Sequence, residues 1–247
     1  MKSLSVAALL GFASCAVVAQ EEEKKSFTMD GEFGFILTTG NTETTSIALG
    51  INASQELEQW SNVYLLEGLY KEDSDVNADG EEFSRVTEQK FFASAQANYK
   101  LTNPDHRLFG FASYEDNRLG AFAYQGTIAA GWNQLVWEDK SSSFDYSVGP
   151  GYSFAETQEG ESVNGAIIRG AANYVWNISD TAKFTQTFST EYGSDNVKSR
   201  AETALTAQIA GDLSLKVSVK FDHNTDVAEG REKLDTETAA TLVYNFF

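Results

Sequence analysis

The chain has 247 residues and a formal net charge of −18, and 42% of its residues are hydrophobic and 13% aromatic. This length fits one all-β domain. So negative a chain would repel nucleic-acid phosphates, which argues against that class of partner. Past the N-terminal segment, no apolar run is long enough for a membrane-spanning helix. The chain has 19 glycines and only 2 prolines, a balance that favours many strands joined by glycine turns.

The N-terminal segment has the features of an export signal. Residues 1–19 contain Lys2, an apolar core and small residues before Gln20, which predicts a secretory signal peptide cleaved after Ala19. The stretch "FASC" leaves open an alternative in which Cys15 is lipidated. If cleavage follows Ala19, the mature chain has no cysteine and no thiol chemistry. Residues 20–26 are predicted to be a short charged linker, and residues 27–247 one barrel domain.

From Phe27 onward, apolar and polar residues alternate with a period of two, the pattern of strands with one apolar face. The first two runs flank Gly40-Asn41, a dipeptide typical of a tight hairpin because both residues tolerate positive φ. The pattern recurs in "FFASAQANYKL", "SFDYSVGPGYSF" and "LSLKVSVKF". It predicts about twelve strands of about ten residues, the length that crosses a bilayer when tilted.

The connections between these runs provide a second criterion. In an outer-membrane barrel, short periplasmic turns alternate with longer outer loops. Short inner turns are predicted at 58–61, 102–106, 138–142, 177–181 and 211–212. The predicted outer connections are 72–83, 117–122, 155–164, 194–199 and 223–234, after a tight first hairpin.

The predicted fold is therefore all-β: a transmembrane, antiparallel, up-and-down β-barrel of about twelve strands in the bacterial outer membrane. Closure pairs residues 27–38 with residues 235–247, which leaves no free edge. Tyr and Trp near strand ends predict aromatic girdles at the membrane boundaries. The expected partners are outer-membrane lipids and lipopolysaccharide. The closing "TLVYNFF" is similar to the signal read by the barrel-assembly machinery, while the oligomeric state stays open.

Four stretches in matching order carry a family resemblance: "DGEFGFILTTGNTETTSIAL", "FGFASYEDNRLGAFAYQGTIAAGWN", "YSVGPGYSF" and "LVYNFF". Together they resemble the salt-induced outer-membrane proteins, a bacterial family also described as a domain of unknown function. The resemblance covers nearly all of the mature chain and implies an outer-membrane barrel associated with salt response. It transfers no catalytic or binding residues.

Charges of both signs fall on the predicted inward faces. They could line a narrow aqueous pore or pair across the lumen and close it. Two functions follow: a small-solute channel or permeability element linked to salt or envelope stress, or a structural barrel that stabilises the envelope through acidic loops and divalent cations. The lumen-lining candidates are Glu32, Lys90, Glu115, Arg169, Lys183, Glu191, Lys216 and Lys220, with Asp30, Glu67, Glu202 and Glu237 on the same faces.

One outer loop partly matches a calcium-binding loop. Asp75, Asn77 and Asp79 alternate and are followed by Gly80, as in the first half of such a loop. The second half lacks the apolar residue and the bidentate glutamate, so these three residues are only a weak Ca²⁺ candidate. No other metal or cofactor is indicated.

Catalysis is not expected, because the sequence has only two histidines. His106 falls in an inner turn. His223 lies at the outer rim with Asp222 and Asp226 close by, where an acid–base pair of a surface hydrolase is conceivable, but no nucleophile lies nearby in the sequence. We therefore predict that the protein is not an enzyme.

Overall fold

The computed structural model describes residues 26–38, 43–76, 82–227, 229 and 232–247. They form twelve antiparallel strands in one closed barrel, ordered as in the sequence, with the last strand beside the first. No helix within these residues is long and apolar enough to cross a membrane. The strands are β1 (Phe27–Thr38), β2 (Glu43–Glu56), β3 (Trp60–Val76), β4 (Glu82–Lys100), β5 (His106–Asn117), β6 (Phe122–Glu138), β7 (Ser142–Thr157), β8 (Ser162–Ser179), β9 (Ala182–Gly193), β10 (Val197–Ala210), β11 (Leu213–Asn224) and β12 (Leu234–Asn245).

The barrel closes between its first and last strands. In this seam Phe33 lies opposite Leu242, and Asp30 lies opposite Asn245. β1 also pairs with β2 along its full length, up to Thr38 opposite Thr44. The predicted fold, including closure and the first hairpin, is confirmed, whereas residues 39–42, with Gly40-Asn41, lie outside the described part of the chain.

The strands are longer and the outer connections shorter than predicted. The strands have 12 to 19 residues, rather than about ten. Glu72–Val76, predicted to be loop, pair with 82–86 on β4, and Glu156 pairs with Ser162. The ladder continues through polar residues, which the sequence pattern took for loop because they lack an apolar face. The outer connections are therefore residues 118–121, 158–161, 194–196 and 225–233, while strand ends place the β3–β4 connection at 77–81.

An apolar belt surrounds the barrel on its outward face. Every strand contributes at least one large apolar side chain to it, and the representatives named below are 43 to 56% exposed. Exposed apolar surface on this scale, closed around the whole molecule, is the lipid-facing surface of a transmembrane barrel. In strand order these residues are Phe33, Leu49, Leu66, Phe91, Leu108, Ile128, Val148, Ile168, Phe188, Leu205, Val217 and Leu242.

Aromatic pairs mark the end of the barrel at which β1 begins and β12 ends, which we call the inner end. The rings of Trp60 and Tyr99 meet edge to face at 5.1 Å. Trp137 packs against Phe144 at 5.1 Å and against Tyr174 at 6.5 Å. Amphipathic rings at this level are suited to the boundary between lipid and water.

The inner turn between β6 and β7 is closed by a single side chain. Asp139 accepts hydrogen bonds from the Ser141 hydroxyl at 2.6 Å and from the amides of Ser141 and Ser142 at 2.7 and 2.9 Å. The Ser141 hydroxyl and these amides favour the carboxylate, so they lower the pKa of Asp139 below its ordinary value. The turn residues thus hold two long strands in register.

Candidate functional site: the charged lumen

The inward face of the barrel carries the charged residues, because alternate residues of a strand point to opposite faces. On β10 the alternation places Lys198, Arg200 and Glu202 on the inside. On β11 it places Lys220 and Asp222 there. A twelve-stranded barrel lies between eight-stranded barrels filled by side chains and wide porins, so its side chains decide how open the lumen is.

Five charged side chains meet across the lumen, and we call them the transverse cluster: Lys90, Glu115, Lys198, Arg200 and Asp222. They come from β4 and β5 on one wall and from β10 and β11 on the facing wall. Arg200 Nη2 donates to Glu115 Oε2 at 2.6 Å, and Arg200 Nε donates to Asp222. Lys90 Nζ lies 2.8 Å from Asp222 Oδ2, and Lys198 Nζ lies 3.3 Å from Glu115 Oε2. These pairs narrow the lumen.

The transverse cluster is largely withdrawn from water. Its side chains are only 10 to 21% exposed. The Arg200 guanidinium also lies 4.4 Å from the ring centre of Phe92, which is buried inside the barrel. Ion pairs at this depth are costly to break singly, because the partner left behind keeps a poorly solvated charge.

Two further ion-paired groups extend along the same lumen. Lys216 lies 3.0 Å from Glu32 Oε1 and 2.9 Å from Glu202 Oε1, linking β11 with β1 and β10. Lys220 pairs with Glu67 of β3, four strands away around the barrel. The charges therefore alternate in sign along the lumen wall rather than forming a ring of one sign.

Arg169 is the most enclosed cation of the lumen, with 6% of its surface exposed. Its guanidinium stacks 3.6 Å from the ring centre of Phe111. Glu191 lies 3.9 Å from Arg169 Nε, beyond hydrogen-bond distance, and accepts instead from the Thr127 hydroxyl at 2.7 Å. Arg169 Nε and Nη1 have no hydrogen-bond partner among the described residues.

Three cavities follow the lumen. The first, of about 310 Å³, opens at the inner end and is lined by Asp30, Lys183 and Asp212. The second, of about 290 Å³, lies at mid-lumen and is bounded by Arg169 and by Arg200 of the transverse cluster. The third, of about 50 Å³, shares Arg200 with the second. The transverse cluster therefore borders both the second and the third cavity, whereas the first lies away from it.

The structure brings seven of the eight predicted lumen residues into ion pairs. Lys183 lies apart from them, at the inner cavity. Lys198, Arg200 and Asp222 were not predicted: Lys198 was assigned to an outer loop, and Arg200 and Asp222 lie directly beside the predicted loops 194–199 and 223–234. The period-two spacing of Lys198, Arg200 and Glu202 was the signal that could have identified them. The paired residues are Glu32, Lys90, Glu115, Arg169, Glu191, Lys216 and Lys220.

The structure separates the two residues that suggested a surface hydrolase. Asp222 points into the lumen and binds Arg200 and Lys90. His223 is the next residue of β11, so its side chain points to the opposite face. His106 begins β5 at the inner end, where its Nδ1 lies 2.5 Å from Gln134 Oε1. The conceivable pairing of His223 with Asp222 is therefore wrong.

The predicted calcium loop is only partly covered by the structure. Asp75 belongs to β3, opposite Phe83, but its side chain lies outside the described residues, as do Asn77 and Asp79. Across the described ranges, no group of three or more His, Cys, Asp or Glu side chains is arranged to hold a metal. Calcium binding at this loop stays a prediction.

A closed barrel with an apolar belt outside and paired charges inside is a transmembrane β-barrel of the outer-membrane type. We accordingly place the protein in the bacterial outer membrane. The chain belongs to the DUF481 family, described as proteins of unknown function, whose family model matches residues 31–246. The resemblance inferred from the sequence is thereby confirmed.

The proteins to which the chain is similar include one relative and two solved structures described here. The chain is 25% identical over 223 residues to the uncharacterized protein YdiY of Escherichia coli K12, covering 90% of this chain and 84% of that protein. An outer-membrane channel from Pseudomonas putida F1 superposes with a TM-score of 0.49 at 8% identity, covering 89% of this chain and 95% of that one. The NanC porin gives a TM-score of 0.49 at 9% identity, with coverages of 89% and 100%.

Proposed function

We propose that this barrel is a narrow channel for small solutes, constricted by the transverse cluster. One observation carries the proposal: cavities of about 310 and 290 Å³ lie inside the barrel, one at the inner end and one beside the cluster. A barrel that only holds the envelope together needs no such space inside. Charged side chains that line a path and cross it are the usual elements of selectivity in pores.

The transverse cluster would limit the size of the solute and couple passage to the ions around it. Its residues are 10 to 21% exposed, so ions entering the lumen can reach them. Such ions compete with the internal pairs, and because partly buried charges are screened less than exposed ones, we expect these pairs to weaken only at high ionic strength. This competition is a physical route by which the salt concentration could change the permeability of the barrel. A response to salt is what the family resemblance implies.

The proposal is tested by efflux from liposomes that contain the purified protein. We expect glycine to leave faster than from empty liposomes, and we expect a trisaccharide to be retained because the cluster excludes it. Liposomes with heat-denatured protein are the control. If glycine leaves no faster than from that control, the lumen is sealed and the alternative, a structural barrel binding lipopolysaccharide through its acidic loops, replaces the channel.

A further inference from the structure

We propose that the outer half of the seam between β1 and β12 is a lateral opening that takes a single-chain amphiphile with an uncharged polar head. Pairing across the seam runs from Asp30 to Phe33, which lies opposite Leu242, and the described residues form no pair beyond it. Both strands nevertheless continue toward the outer end, because β1 pairs with β2 up to Thr38 and β12 pairs with β11 from Leu234. The two strands therefore part from each other and leave a gap in the barrel wall.

The gap leaves backbone groups of β12 without a neighbouring strand. Phe246 N donates to Met29 O across the closed part of the seam. In an antiparallel strand, every second residue directs its N–H and C=O groups to the same neighbour. Ala240 and Thr238 therefore direct theirs at the gap, where the described part of β1 offers them no pairing. Hydrocarbon cannot satisfy such groups, so an open strand edge inside a membrane requires a ligand that forms hydrogen bonds.

The gap lies within the apolar belt. Phe35 is the first residue of β1 beyond the closed part whose side chain faces outward, and it is 52% exposed. Leu234, at the outer end of β12, is 51% exposed. Side chains of this kind mark the surface that lipid surrounds. The hydrocarbon chain of a ligand can therefore stay in the membrane beside the gap while its polar head enters the barrel.

The third cavity, of about 50 Å³, lies behind the gap. Its walls include Ala48 and Gly50 of β2 and Ala239 and Thr241 of β12, the two strands on either side of β1. At Gly34 the parting strands are still close, because a Cβ there would lie 2.9 Å from Thr241 Cγ2. The gap is therefore narrow where it begins, which suits one hydrocarbon chain better than the paired chains of a phospholipid.

The charges of the third cavity indicate the head group. Its walls carry four cations, among them Lys216 and Lys220, and four anions. Each of these cations already binds an acid of the lumen. Glu115 and Glu202 bind two of them from outside the walls and add negative charge. An anionic head group is therefore not attracted, whereas hydroxyl and ester groups can form hydrogen bonds with the strand edge and leave the ion pairs intact.

The opening is tested by photolabelling of the protein in lipid vesicles. The probe is an analogue of 1-monolaurin that carries a diazirine on its chain near the ester. We expect adducts on inward residues beside the gap, namely Glu237 and Ala239, because the head group enters the cavity. A laurate analogue with the same diazirine is the matched anion and should label these residues less. Adducts confined to outward residues, or equal labelling of the inward residues by both probes, would overturn the proposal.

A disulfide across the gap supplies a second test. Phe35→Cys/Ala240→Cys places two cysteines at the first unpaired positions of the seam, and oxidation should close the gap. We expect the inward adducts to be lost on oxidation and to return on reduction. Phe33→Cys/Leu242→Cys joins positions that are already paired and should leave the labelling unchanged in both states. Inward adducts that persist when the first pair is oxidised contradict the opening.

A third variant covers the case in which the first cysteine pair does not oxidise. Ala239→Trp fills the passage between the gap and the third cavity, so the adducts on Glu237 should be lost while adducts on outward residues remain. Labelling of Glu237 as in the wild type would contradict the opening. The site does not depend on conduction: inward adducts without glycine efflux would refute the channel and keep the opening, whereas efflux without inward adducts would do the reverse.

Discussion

Arg200 links its own strand, β10, with three other strands of the barrel. It contacts Glu115 of β5, Asp222 of β11 and the ring of Phe92 of β4. Replacing it with alanine leaves two acids facing each other with only the two lysines of the transverse cluster. Its role is thus structural as well as electrostatic.

We predict that Arg200→Ala lowers the free energy of unfolding by about 3 kcal/mol, because it breaks two buried pairs and leaves their acids with only the two lysines of the cluster. The measurement is urea-induced unfolding from lipid vesicles. Arg118→Ala is the control: Arg118 is 69% exposed, 3.9 Å from Asp116, and should change stability by no more than about 0.5 kcal/mol. Equal losses in the two variants would show that the transverse cluster contributes no more than a surface pair.

Which residues face inward could be predicted from the sequence wherever alternation was unbroken, as at Lys216 and Lys220. Their partners could not be predicted. Lys216 pairs with Glu32, 184 positions away, and Lys220 with Glu67, 153 positions away. Such contacts depend on strand tilt and on the closure of the barrel, neither of which leaves a local signal in the sequence. Arg169 shows the same limit, because its unpaired N–H groups depend on where Glu191 lies.

At the scale of the elements, each strand is defined by its two faces. On β10, Leu205 is outward and 47% exposed to the lipid side. On the neighbouring β9, Thr187 points inward, opposite Glu202 in the ladder. The two positions belong to paired strands and differ in whether lipid or the lumen surrounds them.

We predict that Leu205→Arg lowers stability by about 2–4 kcal/mol, because the charge enters the hydrocarbon region. Thr187→Arg places the same side chain in the lumen beside Glu202, and it should fold with nearly wild-type stability. The readout is the midpoint of folding into liposomes of defined thickness. Should both variants fold equally well, the assignment of the outward face to lipid is wrong.

The strands show which features the sequence pattern could predict and which it could not. Twelve strands, their order and the first hairpin followed from alternation and turn residues. Their ends did not, because β3 and β4 continue as a polar ladder from Glu72 to Val76. Polar residues on both faces are typical of loops. The end of the β3–β4 hairpin extends beyond the neighbouring strands, so its residues have no apolar surface to cover and can be polar on both faces. Hydrogen bonding between the strands maintains this ladder.

At the scale of the whole molecule, the chain as a whole is strongly acidic, whereas the charges paired in its lumen are nearly balanced. The net charge is −18, yet the ion pairs of the lumen join cations and anions in nearly equal number. Excess negative charge therefore resides mainly outside these pairs. If the lumen conducts as proposed, we expect so balanced an interior to select solutes mostly by size rather than by one overall sign of charge.

If the transverse cluster is the constriction of a conducting lumen, removing its central pair should widen the pore. The direct test is the unit conductance in planar bilayers of the wild type, of a Glu115→Ala/Arg200→Ala variant and of an Asp116→Ala/Arg118→Ala control, which removes an exposed pair instead. We predict small steps for the wild type and control, and clearly larger steps for the variant without its central pair. Absence of steps in all three, or equal steps in all three, would contradict the account.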